Sequence, residues 1–271
     1  MSNLEAIVLG LVQGLTEFLP ISSSGHLRIV PALFGWPDPG AGFTAVIQLG
    51  TMAAVLIYFW ERLWRIAVAW LRELRLPMGR RSHEAKLGWY IILGTIPISI
   101  FGFLFRDQIE SSARNLYLIG SALILFSFVM LLAERLGSRR RGMEQLNGRD
   151  GFWVGMAQSL ALIPGVSRSG ATISAGLLRN FDRVAAARYS FLLSVPAVVL
   201  SGLFELRKVG GDGSASVEAT AIATLVAFVS GYAAIAWLLR YLTSHTLKGF
   251  VVYRVALGTL VLILAASGAI S

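Results

Sequence analysis

The 271-residue chain has no cysteine, three histidines and only 14% charged residues, against 55% apolar ones. The missing cysteine excludes a disulfide framework, a thiolate nucleophile and any sulfur-ligated metal or cluster. Chemistry must therefore use oxygen, nitrogen or a bound ion. A soluble domain carries about a quarter charged residues, so this chain is short of the groups needed to solvate its own surface. With a mean hydropathy of +0.68, it reads as a polytopic membrane protein.

Acids are scarcer still, at 15 against 24 Lys and Arg, leaving a net charge of +9. The position of the excess decides what it means. Arg62, Arg65, Arg72, Arg75, Arg80, Arg81 and Lys86 lie in one stretch between apolar runs, and Arg135, Arg139, Arg140, Arg141 and Arg149 fill another. Lys and Arg accumulate in this way in cytoplasmic loops. No aromatic-interleaved basic face accompanies them, so nucleic acid is not the expected partner.

Crossing the hydrocarbon takes about 20 apolar residues. Six segments qualify: 41–60, 87–105, 115–133, 184–206, 215–239 and 250–270. Arg188, Glu218 and Arg254 sit near their ends and are read as reaching to the interface. Two further apolar segments, 6–34 and 151–178, are interrupted at Pro20 and Pro164, each followed by a Ser/Gly-rich tract. Their halves are too short to span, so they read as re-entrant hairpins. The first lacks a basic leader and carries Glu17 in its apolar run, so it is not read as a signal peptide.

With the basic loops 61–86 and 134–150 inside, the first hairpin enters from the outer face and the second from the cytoplasmic face. Loops 106–114 and 207–214 then fall outside with two basic residues each, Arg106 and Arg114, and Arg207 and Lys208. An offset of 145 aligns Gly10, Gln13, Leu15, Ser22, Ser24 and Gly25 with Gly155, Gln158, Leu160, Ser167, Ser169 and Gly170. The expected fold is thus one all-α polytopic membrane domain, six transmembrane helices plus two re-entrant hairpins arranged as an inverted-topology repeat. The copies run over about 1–133 and 150–271. Such repeats place their site near the midplane where the broken helices meet, so Gln13 to His26 and Pro164 to Thr172 should face each other.

Glu17 is the one acid deep in an apolar segment, with Gln13 four residues earlier on the same helical face. A carboxylate and an amide oxygen are a partial ligand set for a hard divalent cation, completed by water and phosphate; they also suit a buried pair joining helices. Ser22, Ser23 and Ser24 follow Pro20 as a turn and helix cap would. His26, the one histidine at membrane depth, adds the option of an activated hydroxyl. His83 and His245 read as solvated bystanders. Arg168 opens the second half of the other hairpin, where free helix amides and a guanidinium favour phosphate, or where it neutralises Glu17.

The run Gln13-Gly-Leu-Thr-Glu17-Phe-Leu-Pro-Ile-Ser-Ser-Ser-Gly-His26 and the run Pro164-Gly-Val-Ser-Arg-Ser-Gly-Ala-Thr172 closely resemble the two signature motifs of the bacterial undecaprenyl-pyrophosphate phosphatases of the bacitracin-resistance type. The likeness extends over essentially the whole chain. It implies hydrolysis of undecaprenyl pyrophosphate to undecaprenyl phosphate and inorganic phosphate, recycling the lipid carrier for peptidoglycan and other envelope polymers, with a divalent cation, Mg²⁺ or Ca²⁺. It implies catalytic roles for Glu17, Ser23, His26 and Arg168, metal ligation by Gln13 and Glu17, and a phosphate cradle of Ser22, Ser24, Gly165, Ser167, Arg168, Ser169 and Thr172. Many relatives have Glu where this chain has Gln13, which brings an oxygen but no charge.

The same resemblance puts the protein in the bacterial cytoplasmic (inner) membrane among membrane lipids, and the charge bias of the loops opens its site to the outer, periplasmic face. Bacitracin would compete for the substrate rather than bind the protein. A homodimer suits a small polytopic enzyme. The nucleophile is left between Ser23, His26 and a metal-bound water. A transporter or flippase of a phosphorylated polyprenyl lipid is the rival class, because inverted repeats of broken helices typify transporters. The Glu, Ser, His and Arg set exceeds what carriage of a phosphate requires.

Overall fold

The structure, a computed structural model, describes residues 1–112, 115–205 and 216–270. Arg114, Arg207 and Lys208 of the two sparsely basic loops lie outside the described residues. Among the described residues there are twelve α-helices and no strand: α1 (Asn3–Phe18), α2 (Ser23–Phe34), α3 (Gly40–Tyr58), α4 (Trp60–Arg72), α5 (His83–Leu104), α6 (Arg106–Ser112), α7 (Leu116–Leu136), α8 (Gly148–Ser159), α9 (Arg168–Leu178), α10 (Arg183–Glu205), α11 (Val217–Tyr241) and α12 (Lys248–Ala266). This is an all-α polytopic membrane fold. Helices α5, α7, α10, α11 and α12 are each long and apolar enough to cross a bilayer, and α3 with α4 makes a sixth candidate bent by 75°.

The basic stretch 61–86, read as a loop, instead begins with a helix. The apolar run ends at Tyr58, and α4 continues with charge on one side and Trp60, Trp64 and Leu71 exposed on the other. A helix of this composition suits the interface plane, and the 75° bend sets it off from the apolar α3. The two basic stretches meet at one end of the molecule, where Arg62 pairs with Glu84 at 2.8 Å and reaches Glu144 at 3.7 Å.

The hairpin halves are short, as expected. At about 1.5 Å per residue, α1, α2, α8 and α9 are roughly 16 to 24 Å long, against a hydrocarbon core of about 30 Å. Their turns share one geometry. Ser22 and Ser167 both have positive φ (76° and 79°), and each accepts a hydrogen bond from the amide three residues on, Gly25 and Gly170. Each also lies against the next hydroxyl but one, Ser24 at 3.3 Å and Ser169 at 3.1 Å. A non-glycine residue held there costs about 1–3 kcal/mol and persists only where its surroundings fix it.

Packing follows the same pairing. Helix α1 lies along α11 and α8 along α5. At these crossings a Cβ on Gly10 would fall 2.4 Å from the Ala223 carbonyl oxygen, and one on Gly155 would fall 2.3 Å from the Gly94 Cα. Only glycine lets the backbones approach this closely, the usual device for joining helices where lipid removes the hydrophobic driving force.

At the basic end, arginines of the second basic stretch bind buried carboxylates. Glu134 accepts from Arg139 at 2.7 Å, from Arg183 and from the Leu247 amide at 3.2 Å. Asp150, with no exposed surface, accepts from Arg141 at 2.6 Å and Arg179 at 2.7 Å. Burial pushes the Asp150 carboxyl up, but the hydrogen bonds from Arg141, Arg179 and Asn147 outweigh it and hold its pKa below the ordinary value of 3.8. A depressed pKa leaves the contribution complete above the unfolded value and removes it only as pH falls through the folded one. Asp150→Ala should therefore destabilise by about 1–3 kcal/mol, since it removes the buried acceptor of the half-buried Arg141 and Arg179. Thermal unfolding in detergent should show the same penalty at pH 7 and pH 5.

Candidate active site

Helix α1 carries Gln13 and Glu17 one turn apart on a buried face. Pro20 and the strained Ser22 turn the chain back, so that α2 begins beside Glu17. Ser23, its first residue, donates to Glu17 Oε2 at 2.6 Å, and the Gln13 amide donates to the same oxygen at 3.1 Å and to Thr51 Oγ1 at 3.3 Å. The other carboxylate oxygen is held by Arg168 Nη2, at the start of α9. The two hairpins therefore meet at Glu17. Ser169 Oγ adds a second tie, donating to the Leu19 carbonyl at 3.0 Å.

This ion pair is largely buried, with side chains 7% and 17% exposed for Glu17 and Arg168. Phe18, Ser169, Ser190, Phe191 and Ser194 line the cavity beside it, which has only about 10 Å³ free. That is room for about one water. Ser190 and Ser194 lie 7 and 11 residues into α10, about 10 and 16 Å from its basic end by helical rise. The site is thus well inside the bundle.

His26 faces away from this carboxylate. Its Nδ1 lies 2.7 Å from the Ser22 carbonyl and its Nε2 2.6 Å from the Tyr253 hydroxyl. A carbonyl can only accept, so Nδ1 carries the proton, and in the neutral ring Tyr253 donates to Nε2. Tyr253 is 44% exposed, and its ring stacks on the imidazole at 5.6 Å.

Arg254 overturns its sequence reading. Instead of reaching to the interface, it is fully buried and donates to the carbonyls of Pro20 (3.3 Å), Ala122 (3.4 Å) and Gly165 (3.0 Å) and to Ser127 Oγ (3.1 Å). Pro20 and Gly165 are themselves 145 residues apart. One guanidinium thus ties the equivalent carbonyls of both turns, whose unpaired oxygens would be costly at this depth.

The cradle expected from the resemblance is divided by the structure. Arg168 and Ser169 face the cavity. Ser22 and Ser167 cap their helices, Ser24 is exposed beside Ser22, and Gly165 shapes its turn at φ 93°, where a Cβ would meet the Ile119 carbonyl at 2.6 Å. Thr172 is fully buried, its hydroxyl 2.8 Å from the Arg168 carbonyl and 2.6 Å from Ser190 Oγ. Sequence reasoning missed Ser190, Ser194, Tyr253 and Thr51. The available signal for the first two was a pair of hydroxyls four apart on one face of an apolar span.

Among the described residues no three His, Cys, Asp or Glu side chains converge as metal ligands. Glu17 and Gln13 bring oxygen donors of the hard type that a divalent cation takes together with water and phosphate, but here Gln13 turns its amide NH2 to Glu17, whose two oxygens are engaged by Ser23, Gln13 and Arg168.

Broken apolar helices that carry a carboxylate, a hydroxyl and a guanidinium into one buried contact define a polytopic membrane protein with a polar cluster inside its helix bundle. The chain belongs to the family described as bacitracin resistance protein BacA, whose model matches residues 6–260. It is 55% identical to a protein of Nocardioides sp. over 99% of this chain and 98% of that one. It is 56% identical to one of Mycobacterium sp. (100% and 99%) and 52% identical to one of Thermobifida fusca (100% and 93%). Each of these relatives is named undecaprenyl-diphosphatase.

Proposed function

We propose that the chain hydrolyses undecaprenyl pyrophosphate to undecaprenyl phosphate and inorganic phosphate, and that Ser23, Glu17 and Arg168 carry the chemistry. The observation that supports it most directly is Glu17 itself, which bonds Ser23 through one oxygen and Arg168 through the other. In this reading the terminal phosphoryl group draws Arg168 away from Glu17, because a dianionic phosphate offers the guanidinium a better bidentate partner. Release of the pair opens the narrow cavity. It also leaves Glu17 free to take the Ser23 proton at the 2.6 Å contact.

Ser23 Oγ then forms a bond to the terminal phosphorus as the bridging oxygen leaves with the lipid monophosphate, which carries off the proton held by Glu17. Water then attacks the phosphoserine, giving its proton to Glu17, which passes it to Ser23 Oγ as the phosphorus–Oγ bond breaks and inorganic phosphate leaves. The amides at the start of α2 and α9 add electrostatic stabilisation to the equatorial oxygens. His26 positions the turn through the Ser22 carbonyl. A divalent cation, Mg²⁺ or Ca²⁺, would be held by Glu17 and Gln13 together with substrate oxygens, and would supply charge neutralisation. The basic stretches at one end favour a cytoplasmic-side placement of that end in the bacterial inner membrane and entry of the diphosphate from the opposite, outer face. The inverted relation of the halves is supported by the matched turns and crossings.

The test is a denaturing quench, at acid and in parallel at alkaline pH so that phosphoserine and phosphohistidine each survive one arm, of purified protein mixed with substrate labelled in its terminal phosphate. Label should appear on the Ser23 peptide, and Ser23→Ala should lose about 10²–10⁴-fold in kcat. Label on His26, or full turnover by Ser23→Ala, would reject this assignment. Chelation should abolish turnover in the wild type, with Mg²⁺ or Ca²⁺ restoring it.

A further inference from the structure

A second cavity, of about 270 Å³, lies at the basic end, under the elbow between α3 and α4. Arg62, Arg65 and Arg188 converge on it over a floor that includes Tyr58, Leu192 and Leu239, with Glu144 at its edge. Arg62 is already paired with Glu84 and Glu144. Arg65 and Arg188 have no hydrogen-bond or ion-pair partner among the described residues. Guanidinium groups brought together without counter-charges form a place for an anion, and their planar forks suit phosphate oxygens.

The setting narrows the anion. The cavity adjoins the bend into an amphipathic helix whose exposed Trp60 and Trp64 stack at 6.0 Å, as aromatic anchors do at headgroup level. Beside the arginines the lining is apolar, with Phe59, Met143, Leu192 and Leu239, so the space suits a headgroup and the start of a hydrocarbon chain. It is separate from the reaction centre. Phe191 packs edge-on against Phe18 at 5.4 Å and against Phe59 at 6.2 Å, with Phe18 on the catalytic side and Phe59 lining the basic cavity.

We propose that this basic cavity binds the phosphate of a membrane lipid, a phosphomonoester or phosphodiester gripped by Arg65 and Arg188 with its chain over Tyr58, Leu192 and Leu239. The assignment does not depend on the reaction proposed for Glu17 and Ser23. A lipid held there would anchor the α3–α4 elbow to its own leaflet.

The full-length protein in neutral detergent, titrated separately with phosphatidylglycerol, farnesyl monophosphate and inorganic phosphate and read by native mass spectrometry, tests it. Titrations are repeated in Arg168→Ala, so that binding at the reaction centre is subtracted. At least one lipid should bind, and Arg65→Glu/Arg188→Glu should weaken that binding tenfold or more in both backgrounds. Both side chains are exposed, so the double variant should unfold at the wild-type temperature; Arg65→Ala/Arg188→Ala guards against an effect of the new charges. Loss for farnesyl monophosphate alone identifies a prenyl phosphate, and loss for both lipids a general phosphate reader. Equal affinity for inorganic phosphate, or lipid binding unchanged by both double variants, overturns the proposal.

Discussion

Replacing Arg168 with alanine should lower kcat/KM for undecaprenyl pyrophosphate hydrolysis by about 10²–10³-fold, the loss typical of removing one preorganised donor from a developing oxyanion. Arg168→Lys should recover only part, since an ammonium keeps the charge but loses the two-pronged geometry. The same change has a stability signature. It leaves the Glu17 carboxylate, 7% exposed, buried without its counter-ion, which costs about 3–5 kcal/mol. Glu17→Gln should lose about 10²–10⁴-fold in kcat by removing the acceptor for the Ser23 proton. The double variant Arg168→Ala/Glu17→Gln should regain stability over Arg168→Ala while remaining inactive. Thermal unfolding and phosphate release measured on all four proteins form the cycle. Additive stability losses, or turnover retained in either single variant, would contradict the arrangement.

Arg254→Met should be nearly as damaging, although Arg254 does not line the catalytic cavity. Methionine has similar length and suits the apolar surroundings, but leaves the Pro20, Ala122 and Gly165 carbonyls and Ser127 Oγ without their donor. Ser127 Oγ still donates to the Leu123 carbonyl and the Ala122 carbonyl lies inside α7, but the two turn carbonyls are left as buried unsatisfied acceptors, at about 1–3 kcal/mol each, so the unfolding temperature in detergent should fall. The turns it ties position Ser23 and Arg168, and a displacement of about 1 Å at a reacting group can cost 10²-fold. The loss should fall on kcat more than on KM. Arg254→Lys, one donor group in place of a fork, should hold one turn and restore stability further than rate. Unchanged kcat in a folded Arg254→Met protein would show that the turns hold themselves.

The spans were legible because a continuous apolar run has one physical solution in lipid. Segment 41–60 is α3 (Gly40–Tyr58) and 115–133 falls within α7 (Leu116–Leu136). The hairpins were legible from Pro20 and Pro164 and the small residues behind them. The meeting of Glu17 with Arg168 followed from the cost of leaving either charge alone at depth. Other features depend on contacts that spacing does not encode. An arginine four residues inside an apolar run looks the same whether it reaches outward or inward, and the acceptors of Arg254 lie 89 to 234 residues away in the chain. Helix α4 was hidden because its charges dominate a reading made for loops, while its apolar side follows a helical period. Thr172 belongs to the signature run, yet its hydroxyl is used within the α9–α10 packing.

The Glu17–Arg168 pair gives the resting site an internal competitor. Any anion that approaches Arg168 must displace a carboxylate tethered beside it, in a cavity with about 10 Å³ free. Orthophosphate has no further anchor with which to offset that displacement, whereas a diphosphate on a long isoprenoid has the whole tail in the bilayer. If the reaction runs through this pair as proposed, inorganic phosphate should be a weak inhibitor and small phosphate esters poor substrates, without a pocket shaped to exclude them.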